Sequence, residues 1–180
     1  MPDLNLVRFA WRPGFATSLQ TTVAPSLLKV CRSVDGTEGY AWLTPDADIA
    51  SALAAVIGGA PPGATPIPLD LLRDIAGAAA DRDAPYRYIV ETDVEDGYES
   101  DFNAWYDDEH LVGLAAVPGA VRAARYRANG ERPRYHAYYD LEHPDVLGSP
   151  AWLAVRATPW SDRVRPRFVN TKRTMFRTCR

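Results

Sequence analysis

A tyrosine, a glutamate and a histidine that can perform acid–base chemistry lie close together in the second half of the chain. Tyr106, Glu109 and His110 belong to the stretch ESDFNAWYDDEHLVGLAAVPG, which has the periodicity of an amphipathic helix. At about 100° per residue, all three fall on one broad face with Phe102 and Trp105. An imidazole can take a proton from a carbon acid or a phenol and return it. Glu109 can orient that imidazole, and Tyr106 can hold a developing oxyanion.

The same residues also fit a purely structural role. A histidine near the C-terminal end of a helix often bonds to a backbone carbonyl, and a neighbouring glutamate then points to solvent. A buried imidazole or carboxylate needs a partner in either case. The ends of the helix are marked, because Ser100 or Asp101 can cap its first turn and Pro118-Gly119 stops it. The spacing alone leaves the catalytic and the structural interpretation open.

A second histidine and a tyrosine lie on a predicted strand. His136 and Tyr138 alternate with Tyr135 and Tyr139, so they share one face of that strand. Such a pair can line a pocket, but charged neighbours on the same face favour a wet face or an interface. His143 precedes Pro144 in an acidic turn, which indicates a solvated loop position.

Composition and motifs exclude several classes of function. The net charge is −3 and the estimated pI is 5.6, so no basic surface for nucleic acid is expected. The three histidines form no H-x-x-x-H pair, which argues against a metal site. The chain contains no G-x-G-x-x-G, P-loop or G-x-S-x-G pattern. A haem site needs only one histidine, so composition leaves haem open.

The cysteine content and the apolar runs predict a cytoplasmic protein. Cys31 and Cys179 are far apart and have no metal or redox spacing, which is typical of a reduced compartment. No apolar stretch is long enough to span a bilayer, and the N-terminus lacks the pattern of a signal peptide. We therefore expect neither a membrane nor a nucleic-acid partner.

The second half of the chain reads β-α-β-β-α-β, the order of a ferredoxin-like unit. A strand is predicted before the helix described above, a hairpin after it, and a helix beginning at Ser149-Pro150 before the last strand. The predicted strands are Tyr86–Val94, Ala120–Arg127, Arg134–Leu141 and Arg167–Arg177.

The first half has a similar but degenerate order. Asp35-Gly36 separates two apolar runs and predicts a hairpin. A helix is expected over Asp48–Ile57 and a less regular one over Phe15–Leu28, followed by a proline-rich linker, Ala60–Pro68. The pattern of Leu69–Ala80 favours another short helix. We predict a division into residues 1–80 and 81–180, an α+β chain with two ferredoxin-like halves whose sheets form a barrel.

The central helix resembles that of a known superfamily. DFNAWYDDEHL followed by AVPG is similar to the F-N-x-W-Y-D-x-E-H-L … V-P-G pattern of dimeric α/β-barrel proteins, in the EthD-like and related uncharacterised branches. The resemblance extends over about residues 86–177 and does not include the first half, where Thr21-Thr22-Val23-Ala24-Pro25 stands near the equivalent place. In that superfamily two ferredoxin-like units, usually from two chains, join their sheets into a barrel.

The resemblance implies a cavity between helices and sheet with His110 at its wall. Three hypotheses follow: an enzyme with His110 as general base, acting as a cyclase, isomerase or monooxygenase on a small aromatic or polyketide-like molecule; a non-catalytic binding or structural protein; and a haem protein. We expect no cofactor, with haem as a minor alternative, and leave open a second copy of the chain as partner. Catalytic roles are predicted for His110, Tyr106 and Glu109, and ligand contacts for Phe102, Trp105, Tyr126, His136 and Tyr138.

Overall fold

The structure is a computed structural model that describes residues 1–15, 26–58 and 64–179. Most of the helix predicted over Phe15–Leu28 and part of the proline-rich linker lie outside the described residues. The chain divides into two compact units, one of residues 1–70 with 176–180 and one of residues 71–175. The predicted division at residue 80 stays a prediction.

The first unit contains a sheet with one helix following its hairpin. Its elements are β1 (Leu4–Ala10), β2 (Leu27–Ser33), β3 (Glu38–Leu43), α1 (Ile49–Ile57), the start of β4 (Pro66–Ala76) and the end of β8 (Phe168–Thr178). The strand order is β4-β1-β3-β2-β8. The predicted hairpin is present, because the Asp35 carboxylate accepts hydrogen bonds from Ser33 and Thr37, and Gly36 has a φ of 79°. The predicted helix is also present, with Asp48 as its N-cap.

The helix predicted over Leu69–Ala80 is wrong, because this segment begins as the strand β4. Leu4 and Leu69 are paired in the antiparallel ladder between β1 and β4, and Leu69 is fully buried. The apolar spacing of the segment also fits a helix. As a strand, however, the segment pairs with β1 and covers the otherwise free edge of β1. Two prolines that were expected to exclude a strand, Pro66 and Pro68, lie within β4.

The second unit contains the ferredoxin-like order predicted for the second half. Its strands follow the order β8-β5-β7-β6-β4, and β7 pairs antiparallel with both β5 and β6. Ser149 caps α4 by accepting a hydrogen bond from the Trp152 backbone N–H. The helices and strands that belong to this unit alone are β5 (Tyr86–Val94), α2 (Glu99–Trp105), α3 (Leu111–Ala115), β6 (Ala120–Ala128), β7 (Tyr135–Leu141), α4 (Pro150–Arg156) and α5 (Pro159–Val164).

Strands β4 and β8 take part in both units, so the hydrogen-bonded order closes on itself. That order is β1-β3-β2-β8-β5-β7-β6-β4, an eight-stranded closed barrel. Within each unit four consecutive strands follow the order fourth-first-third-second, which is the ferredoxin-like order. The predicted α+β class with two ferredoxin-like halves in one chain is therefore confirmed. In the described part of the chain no helix is long and apolar enough to cross a membrane.

Candidate active site

The helix that was predicted as one element contains a π-helical turn. α2 and α3 are joined by the turn Tyr106–His110, in which the Leu111 backbone N–H donates to the Tyr106 carbonyl five residues earlier. The wider turn rotates the residues that follow it, so Leu111, which the helical wheel places away from the packing face, is fully buried. The side-chain cap expected from Ser100 or Asp101 is absent, since the helix begins at Glu99 without one.

His110 lies at the end of this turn, packed among aromatic rings. Its ring stacks on Trp105, with centroids 4.0 Å apart and planes 18° apart, and meets the edge of the Tyr106 ring at 5.4 Å. The side chain is buried, and its Nδ1 has no hydrogen-bond partner among the residues that the structure describes. Burial, and then the positive charges of Arg156 and Arg165, lower the pKa of His110 to about 3. The imidazole is therefore neutral at pH 7.

A cavity opens beside His110 within the second unit. It encloses about 350 Å³ of empty space including its open mouth, but water-sized molecules can centre themselves in only about 30 Å³ of it. That space holds about two water molecules, so a larger ligand enters only if side chains at the mouth move. The lining residues are Tyr88, Val90, Trp105, Tyr106, His110, Leu114, Tyr139, Trp152, Arg156, Arg165, Phe168 and Arg173.

Two buried tyrosines contribute hydroxyl groups to this cavity. Burial raises the pKa of Tyr106 to about 12 and the pKa of Tyr139 well above its usual value. Within the described ranges the Tyr139 hydroxyl has no well-formed hydrogen bond, although it lies close enough to Tyr106 for the two groups to affect each other's ionisation. Both phenols therefore stay protonated and can donate a hydrogen bond to an oxygen in the cavity.

Three arginines also line the cavity, and sequence analysis did not single them out. Arg156 ends α4, Arg165 follows α5 and Arg173 lies on β8. None of the three forms an ion pair or a side-chain hydrogen bond within the described ranges 1–15, 26–58 and 64–179. The C-terminal third of the sequence is rich in arginine, and its arginines alternate with apolar residues. This alternation does not indicate which of the arginines line the same pocket.

Glu109 does not make the contact predicted for it. Its carboxylate accepts a hydrogen bond of 2.6 Å from the Thr158 hydroxyl, which lies before α5. Among the described residues Nδ1 of His110 has no partner, so none of their carboxylates orients that ring through Nδ1. Glu109 and His110 are consecutive in the chain, and their side chains leave the helix in different directions. Stacking on Trp105 fixes the plane of the imidazole instead.

The predicted ligand contacts separate into two groups. Trp105 lines the cavity, whereas Phe102 lies behind it, fully buried against Tyr106 and Phe168. Tyr126, His136 and Tyr138 do not line this cavity. His136 and Tyr138 lie on the face of β7 opposite the residues that pack under the helix, which are Tyr135, Ala137, Tyr139 and Leu141.

His136 has partners that suit a structural residue. Its Nε2 lies 3.0 Å from the Pro133 carbonyl oxygen, so Nε2 donates there. Its Nδ1 lies 3.5 Å from a Glu91 carboxylate oxygen and 3.5 Å from the Tyr138 hydroxyl. No cluster of His, Cys, Asp and Glu that could hold a metal is present in the part of the chain that the structure describes.

A buried arginine supports the site from beneath. Arg125 is 1% exposed and its guanidinium lies 4.4 Å from the centre of the Tyr106 ring. It donates a 2.5 Å hydrogen bond to Asn103 and lies 3.8 Å from the Asp107 carboxylate. These contacts fix the helix on β6 and hold Tyr106 in place. Only the arginine's position on an alternating strand was visible in the sequence.

The closed strand order and a cavity between helices and sheet define a ferredoxin-like α/β-barrel protein, and known structures share this fold. A candidate monooxygenase from Lactobacillus acidophilus matches with a TM-score of 0.67 at 10% identity, over 100% of this chain and 95% of that one. An anthrone oxidase-like protein matches with a TM-score of 0.56 at 15% identity, over 100% and 92%. A haem-degrading enzyme from Listeria monocytogenes matches with a TM-score of 0.58 at 5% identity, over 96% and 98%. Neither a protein-family model nor a curated protein matches the chain.

The superfamily resemblance seen in the helix is thus confirmed at the level of the fold, and the EthD-like branch stays a prediction. The expectation of no cofactor is wrong as an inference from this fold, because one protein that shares it is a haem-degrading enzyme. The residues around His110 do not fit a haem as they stand. A porphyrin is far larger than the cavity, whose walls include Trp105, Trp152 and Phe168.

Proposed function

We propose that this cavity binds a small aromatic or polyketide-like molecule and that His110 takes a proton from it. The observation that carries the proposal is a neutral, buried imidazole that lines a cavity and whose Nδ1 has no partner in the described part of the chain. A base must be unprotonated before it can act, and His110 meets that condition throughout the physiological range. The proteins of similar fold named above include one called a candidate monooxygenase and one called anthrone oxidase-like.

The surrounding charges connect proton transfer to the formation of an anion. A pKa of about 3 makes His110 a weak base in the empty cavity. When a substrate loses a proton beside Arg156 and Arg165, the new negative charge offsets their effect on the imidazole. The pKa of His110 then rises, and the imidazolium is stabilised together with the enolate or phenolate. The Tyr139 hydroxyl can donate to the same oxyanion.

Proton exchange in D₂O tests this step without any oxidation. Anthrone and the smaller 2-tetralone carry acidic methylene protons, whose exchange for deuterium is followed by NMR under argon. We expect the protein to accelerate exchange about 10²- to 10⁴-fold over buffer. His110→Asn should remove that acceleration. The matched control is His143→Asn, because His143 is an exposed loop imidazole beside Asp145, and this variant should keep the full rate.

The small free volume favours a second candidate, a binding or structural protein of the same fold. Trp105 and Phe168 fill part of the space, and a bicyclic molecule requires the cavity to open. Under this candidate the protein binds 2-tetralone without accelerating exchange, or binds neither compound. Either result with folded protein would contradict the catalytic role of His110. Unfolding of His110→Asn, together with a wild-type protein that does not accelerate exchange, would indicate that the histidine serves packing.

A further inference from the structure

We infer that the ligand of this cavity is an aromatic carboxylate, bound through its carboxylate by Arg156, Arg165 and Arg173. The inference rests on the ligand-binding part of the proposed function and adds the charge of the ligand. It does not depend on His110 acting as a base. A binding experiment can therefore separate the two ideas.

The three guanidinium groups come from separate elements and meet at one place. All three line the same cavity. Their charges act together on Tyr88, and Arg156 and Arg173 each act on Arg165, the pKa of which is lowered by burial first and by these neighbours next. Arg156 and Arg165 are half-buried, and Arg173 is exposed. The positive charge therefore lies at the mouth and reaches inwards to His110.

The other arginines that the structure places in this unit show the contrast. Each of several has a carboxylate of its own, namely Arg87, Arg122, Arg125, Arg163 and Arg167. The three cavity arginines have no such partner among the described residues. Asp162 and Tyr88 modestly offset the charge of Arg165. Three like charges without close counter-charges oppose folding, so an anion that joins them relieves repulsion.

The shape and chemistry of the cavity indicate which anion fits. Guanidinium groups bind carboxylates through two parallel hydrogen bonds, and a carboxylate is charged at pH 7 without prior proton loss. The remaining walls are flat rings, those of Tyr88, Trp105, Trp152 and Phe168. Once side chains at the mouth have moved to admit it, an aromatic ring can pack against such walls while its carboxylate stays at the mouth. A phenolate carries one oxygen and needs deprotonation first.

Calorimetric titration with matched pairs of probes tests the inference. Benzoate and 2-naphthoate are compared with benzamide and 2-naphthamide, which have the same shape without the charge. We expect the carboxylates to bind at least tenfold tighter than the amides at low salt, and the preference to shrink as NaCl is added. Arg156→Gln, Arg165→Gln and Arg173→Gln should each weaken carboxylate binding, and the triple variant should bind acid and amide equally.

Arg163→Gln is the matched control for charge. Arg163 lies on α5 and is paired with Asp101 outside the cavity, so this variant loses the same charge and should keep the carboxylate preference. The triple variant should unfold at the same temperature as the wild type or at a higher one. It loses the repulsion among the three arginines, and it breaks no ion pair with another described residue. A structural role for these arginines would lower that temperature instead and would overturn the inference.

Two further results would also overturn it: equal binding of acids and amides by the wild type, and a carboxylate preference that persists in the triple variant. Tighter binding of 2-naphthol than of 2-naphthoate would assign the arginines to a phenolate. Failure of proton exchange with an intact carboxylate preference would reject only the catalytic proposal. Normal exchange without that preference would reject only the present inference.

Discussion

Replacing Asp140 with alanine should lower the free energy of unfolding by about 3–5 kcal/mol. Asp140 on β7 accepts two hydrogen bonds from Arg87 on β5, of 2.6 Å and 2.8 Å, and the two residues are directly paired in the ladder. Their side chains are 7% and 5% exposed. The variant leaves the Arg87 guanidinium buried without this carboxylate, and the loss of that counter-charge determines the size of the effect. Urea denaturation followed by circular dichroism measures it.

The double variant Arg87→Met, Asp140→Leu separates the cost of removing one member of the pair from the value of the pair itself. When both charges are replaced by apolar side chains, we expect at least half of the lost stability to return. The surface variant Asp74→Ala is the matched control. Asp74 forms the same two-bond contact with Arg122, but both side chains are more than a third exposed. Its loss should cost less than about 1 kcal/mol. A similar cost at both positions would contradict the role of burial.

The regular elements of the second unit were predictable because several local signals agree there. Ser149-Pro150 fixes the start of α4, and Asn129-Gly130 marks the hairpin before β7. Strand β4 was missed for the opposite reason. Its apolar residues are spaced as in a helix, and it becomes a strand between two distant neighbours: its first residues pair with β1, about sixty residues earlier, and β6 lies on its other side. Partners that distant leave no local pattern.

The chemistry of the helix was visible in the sequence, but its geometry was not. An ideal helical wheel brings Glu109 to the same face as His110. The π-helical turn sends the carboxylate to Thr158 and buries Leu111. The arginines were missed because Arg156, Arg165 and Arg173 lie on three elements, and only the fold brings them to one cavity. Spacing predicts residues that share an element and fails for those that meet across elements.

Between pH 7 and pH 4.5 the free energy of unfolding should decrease more in the wild type than in His110→Phe. We expect this extra decrease to be about 2–3 kcal/mol. His110 takes up a proton near pH 6.5 when unfolded and near pH 3 when folded. Between these values the unfolded state binds more protons, so stability decreases as the pH falls and levels off below about 3. Phenylalanine keeps a flat ring against Trp105 and has no proton to bind. Carboxylates with lowered pKa, such as those of Asp93 and Glu99, act in both proteins and cancel in the difference.

Chemical denaturation at half-unit steps of pH measures this difference, with His143→Phe as the control for an exposed imidazole. The control should follow the wild type, whereas parallel curves for His110→Phe and the wild type would show that the pKa of His110 is not depressed. Saturating 2-naphthoate should reduce the difference in acid-induced loss of stability between the wild type and His110→Phe. A carboxylate beside Arg156 and Arg165 offsets the positive charges that oppose protonation of His110. If 2-naphthoate stabilises the wild type and His110→Phe without reducing that difference, it binds away from the imidazole, and the cavity lined by the three arginines is then not its site.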